Sequence, residues 1–237
     1  MMKNDMKLPV RFLFVGQLQH IMFLGCLIPG AIYLALPSLD GSSWLGITDS
    51  TWFYAITLLV IVHQILGWFV FRTQLVFSLF SRLFGNRDLF VWGSLFFPLF
   101  ILSPILMIAL GLADFRSLGY LYPLQILLGL VLLIPVVYVG WPIERYFGVT
   151  RALGGDHFRQ PYREMSLVKE GAFKYNSNAM YTFAFLLFWE IALLTGSRAA
   201  LAAVLFQHAY IWVHLYCTEA PDMQVIYCSN EEEDNIS

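Results

Sequence analysis

Residues 90–112 read FVWGSLFFPLFILSPILMIALGL, a run without one charged side chain. A segment of about 20 apolar residues is long enough to cross the hydrocarbon core of a bilayer. Inside lipid no water can pair the backbone N–H and C=O groups, so such a segment must be helical. Five further stretches have the same character, at about 12–36, 52–71, 119–140, 179–195 and 199–217. The last two are short and joined only by Thr195-Gly196-Ser197-Arg198, which predicts a tight helical hairpin. Composition agrees, with 59% hydrophobic and 13% charged residues, against roughly a quarter charged in soluble domains. The expected fold is all-α: a polytopic membrane helical bundle of about six spans ending in a helical hairpin.

Positive charge sets the expected orientation. Twelve of the 14 Lys and Arg residues fall in the N-terminal segment, the 72–89 loop and the 141–178 connection. The remaining two, Arg116 and Arg198, lie in the alternate loops. Both termini are therefore expected in the cytosol, in a bacterial inner membrane or the endoplasmic reticulum. The first span reads as a retained signal anchor, because no small-residue cleavage site follows it. The chain divides into an N-terminal unit of four spans (1–140), a connection plus hairpin (141–228) and an acidic tail expected to be disordered (229–237). A net charge of −2 excludes a nucleic-acid footprint. Cys26, Cys217 and Cys228 are scattered, forming neither a disulfide framework nor a metal box, and no metal is expected.

Ionisable residues inside spans are costly and mark candidate sites. They are His20, His63, Glu190, His208 and His214. Five histidines in the whole chain are too few for a membrane di-iron centre, although a bis-histidine haem needs only two, such as His63 with His208. Each histidine alone also reads as a packed residue bonded to a neighbouring helix. Glu190, in FLLFWEIALL, must be protonated, paired or facing a wet cavity. Polar groups also gather at the two open ends of the hairpin. Asn176, Ser177 and Asn178 precede its first helix, and Thr218 and Glu219 close its second, where Pro221 is expected to stop the helix. A helix C-terminus disfavours a carboxylate, so Glu219 needs a cation or a set of donors.

KYNSNAMY (174–181), the short hairpin, and LYCTEAPDMQVIY (215–227) together resemble the C-terminal half of the integral membrane methyltransferases, a superfamily holding the phosphatidylethanolamine N-methyltransferases and the isoprenylcysteine carboxyl methyltransferases. Asn178-Ala179-Met180-Tyr181 resembles that superfamily's Asn-Pro-Met-Tyr entry motif, and Thr218-Glu219-Ala220 its Glu-Glu-Pro exit. GWPIERYFG (140–148) is similar to a run of the phospholipid enzymes. The resemblance implies S-adenosylmethionine as cofactor, bound by Gly140, Trp141, Pro142, Asn178, Met180, Tyr181, His208, Thr218 and Glu219, with Glu190 and Glu219 as catalytic carboxylates. Glu219 would take the cofactor's ammonium or ribose hydroxyls, aromatic rings its adenine or sulfonium, and Glu190 the substrate amine. The implied partner is a membrane lipid or lipid-like acceptor, a phospholipid amine before a prenyl-cysteine carboxylate or a small thiol. Ala179 stands in place of Pro and Thr218 in place of the first Glu, which keeps open a non-catalytic scaffold or lipid-binding protein of the same fold. A haem- or quinone-linked redox protein is the third reading. Oligomeric state is not legible.

Overall fold

The computed structural model describes residues 8–119, 121–142, 145–146, 148–165 and 168–234. Five helical segments are long and apolar enough to cross a membrane: Val10–Ser38, Asp49–Phe77, Leu79–Ala113, Tyr122–Trp141 and Arg198–Tyr227. A sixth apolar helix, Met180–Thr195, is shorter, about 24 Å at helical rise. The all-α bundle is thus as expected, with the first half of the hairpin as its short member.

The elements are α1 (Gln17–Ala35), a two-residue hairpin of β1 (Ser43–Trp44) and β2 (Ile47–Thr48), α2 (Asp49–Phe77), α3 (Leu79–Phe84), α4 (Asp88–Ala113) and α5 (Tyr122–Pro142). Three short helices follow in the connection, α6 (Val149–Ala152), α7 (Gly155–Phe158) and α8 (Gln160–Arg163). Then come α9 (Leu186–Thr195), α10 (Arg198–His214) and α11 (Ala220–Asp234). A π-turn, Met180–Ala184, leads into α9, and another, Leu215–Glu219, joins α10 to α11.

Helix α10 is the hub, packing against α1, α2, α4 and α9, while α5 lies against α9. Its buried Ala199, Ala200, Ala202 and Ala203 explain this position. Small side chains let backbones approach, and without a hydrophobic drive in lipid, close packing is what joins helices. Phe53, Ile56 and Val60 of α2 and Met107 and Leu110 of α4 complete the core around it. Gly111 meets Thr195 so closely that an added Cβ would lie 2.6 Å from Oγ1. Gly111→Ala should therefore cost about 1–3 kcal/mol by overpacking, read as a lowered Tm in detergent; an unchanged Tm would show that α4 and α9 can move apart freely.

The turn between α9 and α10 is tight, as its four residues imply. Gly196 ends α9 in the left-handed region (φ 61°), and the Ser197 side chain caps α10 by accepting from Ala200 N. The 114–118 loop pairs with it, Arg116 N and Leu118 N donating to the carbonyls of Thr195 and Gly196 at 3.0 and 2.9 Å.

Two expectations are corrected. Arg72 is not a loop charge: α2 runs on to Phe77 and leaves the Arg72 side chain fully buried. Pro221 does not stop the last helix, which continues as α11. The π-turn just before it widens the helix, a usual way for a helix to absorb a residue without an N–H. Residues 235–237, the end of the acidic tail, lie outside the described residues.

Candidate functional site

The two ends of the hairpin meet. Tyr181, in the π-turn entering α9, donates its phenol hydrogen to the Glu219 carboxylate, 2.7 Å from Oε1 and 2.6 Å from Oε2. One hydrogen shared between two oxygens leaves most of the carboxylate's acceptor capacity free. The Glu219 side chain remains 20% exposed. His214, one turn earlier and nearly fully buried, brings Nε2 to 3.6 Å from Oε1, too long for a hydrogen bond but close enough for attraction if charged. Aromatic rings flank the pair: Trp212 lies 6.5 Å from the Tyr181 ring and stacks on Tyr216 at 6.0 Å.

The hairpin's polar entrance is ordered by its own side chains. Asn176 Oδ1 accepts from Asn178 N at 2.8 Å, and Asn176 Nδ2 donates to Thr182 Oγ1 at 2.8 Å. Such Asx bonding starts helices in place of missing backbone partners. Asn178 is half-buried one turn before Tyr181, so it stands at the same mouth. Met180 packs instead on the apolar cluster of Val139, Ala172, Phe173 and Ala179. His208 accepts at Nδ1 from Trp189 Nε1 at 2.9 Å and also meets the Tyr181 backbone. It thereby ties the interior of the hairpin to the residue that holds Glu219.

Other expected site residues stand differently. Thr218 is fully buried and faces inward, its hydroxyl accepting from Gln17 Nε2 at 3.2 Å and its carbonyl from Arg72 Nη2 at 3.2 Å. Gly140 has open space where a Cβ would project, and Trp141 is 59% exposed against Tyr146. The Pro142 ring lies outside the described residues. Glu190 is buried, with no hydrogen-bond partner for Oε2 among the described residues. It sits nine residues beyond Tyr181 on the same rod, about 13 Å of rise, toward the Thr195 end. The fold therefore does not bring Glu190 to Glu219. His63 meets Phe96 edge to face, whereas His208 engages Trp189 and Phe185. No cluster of three or more metal-binding side chains occurs among the described residues.

The sequence reading missed a buried ionic layer next to this site. Arg72 Nε pairs with Asp222 Oδ1 at 2.7 Å, both fully buried, and Asp222 Oδ2 meets His157 Nε2 at 3.3 Å. His157 stacks on Phe71 at 4.1 Å. Asp156 Oδ2 accepts from the Tyr227 hydroxyl at 2.5 Å. Through these bonds α7 is fastened to α2 and α11. Arg159 pairs with Asp88, whose hydrogen bonds raise its already high pKa, and anchors α7 to the start of α4. An Arg at the end of an apolar run was the available signal; its partner lies 150 positions away.

A bundle of bilayer-length helices with an acid–phenol contact at the mouth of its last hairpin defines a membrane protein with a polar site at that end. Residues 124–230 match the family model of phospholipid methyltransferase, so this C-terminal segment is similar to the integral membrane methyltransferases. No curated protein and no solved structure matches the chain.

Proposed function

We propose that this protein transfers a methyl group from S-adenosylmethionine to a membrane lipid, with a phospholipid amine as the acceptor class. The observation that carries this reading is the Tyr181–Glu219 contact, which joins the two ends of the hairpin inside the segment matched by the family. The charge bias supports the cytosolic side for this end of the bundle.

The groups present suit such a cofactor. Glu219 offers a partly exposed carboxylate with free lone pairs, matched to an ammonium or a ribose diol by charge-assisted bonds. The faces of Tyr181, Trp212 and Tyr216 suit a cation or an adenine, each such contact contributing about 0.5–2 kcal/mol. Asn178 adds a neutral amide at the mouth, and the space beside Gly140 admits a backbone approach. When bound, S-adenosylmethionine supplies a methyl carbon already activated by positive sulfur. The protein's part is to orient the acceptor nitrogen in line and exclude water, which can be worth up to about 7–11 kcal/mol. Glu219, Tyr181 and Asn178 would hold the cofactor, which would supply the methyl carbon with the positive sulfur as its leaving group. The amine's proton must leave before attack, and Glu219, at the mouth, is the nearer carboxylate to take it.

A second reading, a non-catalytic member of the same fold, is favoured by Thr218, which is committed to Gln17 and Arg72 where the family has an acid. The experiment is incubation of the purified protein in nanodiscs with methyl-labelled S-adenosylmethionine and a total lipid extract. Label in an amine-headgroup phospholipid is the expected result. Label only in a prenyl-cysteine peptide or a thiol would overturn the acceptor. Absence of both labelling and cofactor binding would select the scaffold.

A further inference from the structure

The Cys217 carbonyl lies in the π-turn that carries Glu219, and Pro221, four residues on, has no N–H to give it. A buried carbonyl left without a donor is costly. Three groups from distant parts of the chain converge on it. Arg72 Nη2 and Gln17 Nε2 each lie 3.4 Å from the oxygen. Gly16 (φ +80°) comes so close that a Cβ there would stand 2.2 Å from it.

Arg72 does more than serve this oxygen. Its guanidinium also donates to the carbonyls of Thr218, Val15 and Phe12, pairs with Asp222, and lies 4.4 Å over the Phe12 ring. Trp68 Nε1, one turn away, holds Leu13 O at 2.9 Å. The segment around residues 12–16 is thus strapped across α2 and pressed onto the π-turn. A π-turn is a rare local form, found mostly as a single turn inside a longer helix. Here it rotates Glu219 towards Tyr181 while Thr218 stays turned inward.

We infer that Arg72 is a positioning residue: its planar fork, with Gly16 and Gln17, fixes the Leu215–Glu219 π-turn and so aims the Glu219 carboxylate at the cofactor. This rests on the proposed cofactor role of Glu219. A lysine carries the same charge but concentrates its donors at one point, so it cannot serve four carbonyls and a carboxylate from one plane.

The test compares wild-type protein with Arg72→Lys in nanodiscs by two readouts. Amide hydrogen exchange should accelerate about tenfold or more over Leu215–Glu219 while exchange at Ala199–Ala203, the far end of α10, stays unchanged. The Kd for S-adenosylmethionine should rise about tenfold, with the acceptor KM nearly unchanged. A merely structural arginine would lower Tm and speed exchange along the whole of α10, yet leave the Kd of the folded protein untouched; that pattern overturns the inference, as does unaltered exchange at the π-turn. Should Arg72→Lys fail to fold, Gln17→Ala, which removes one donor each from Cys217 O and Thr218 Oγ1, should give the same local pattern at about threefold, and no local change there overturns it. If wild-type protein does not bind S-adenosylmethionine, the proposed function fails while the exchange readout still decides the role of Arg72.

Discussion

Glu219→Gln is expected to weaken S-adenosylmethionine binding to the purified protein by about tenfold or more, with helix content and Tm unchanged. The substitution keeps the shape and keeps an acceptor oxygen for the Tyr181 phenol, now 2.6–2.7 Å from the carboxylate. It removes only the charge. A hydrogen bond to a charged group contributes about 1.5–3 kcal/mol, against about 1 for a neutral one, and about 1.4 kcal/mol is a factor of ten. The carboxylate is four-fifths covered, its side chain being 20% exposed, so the loss should stand above the small effects typical of solvated ion pairs. Tyr181→Phe is the milder companion: it frees the carboxylate from its one short donor without removing the charge. Isothermal titration of both variants reads the difference, and an unaltered affinity in folded Glu219→Gln takes Glu219 out of the site.

Asp114→Ala is expected to destabilise the bundle by about 3 kcal/mol without altering cofactor affinity. Asp114 is buried at the opposite end of the hairpin, only 3% exposed. Its Oδ2 accepts from Ser197 Oγ at 2.6 Å, Ser117 Oγ at 2.7 Å, Ala199 N at 2.8 Å and, more distantly, Ser38 Oγ at 3.4 Å. One carboxylate thus ties together the ends of α1 and α4 and the start of α10, and it faces the positive end of the α10 dipole. Removing it leaves several covered donors without an acceptor, each worth about 1–3 kcal/mol, partly offset by the hydroxyls turning elsewhere. Asp114→Asn, which keeps one acceptor oxygen, should lose less. Thermal unfolding in detergent separates the three proteins; an Asp114→Ala protein as stable as wild type would show that water or neighbouring backbone satisfies these donors equally well.

Some of the site was readable before any coordinates. The hairpin, its tight Gly196–Ser197 turn and the polar residues at its mouth follow from local sequence. The expected helix C-terminus at Glu219, from which its need for a donor is argued, does not exist, because α11 continues beyond it. That the donor would be Tyr181, 38 positions away, was not readable, because the sequence offers many hydroxyls and amides of equal chemistry. Glu190 drew attention as a charge within an apolar run, yet its height along α9 sets it about two and a half turns from Tyr181. By the usual rule Pro221 stops a helix; a π-turn and a borrowed guanidinium let this one continue.

What the sequence by itself determined is the set of rods: length and apolarity are local properties, and lipid leaves the backbone no choice but to bond within each helix. The family segment was legible for the same reason, being carried by contiguous motifs. Only the tertiary structure decided which polar group serves which. Arg72 could have been one more charge at a membrane boundary, but the packing of α1, α2 and α10 made it the common partner of Phe12, Val15, Cys217, Thr218 and Asp222. The demand that a buried polar group be satisfied is general; the identity of its partner depends on which helices come to lie side by side.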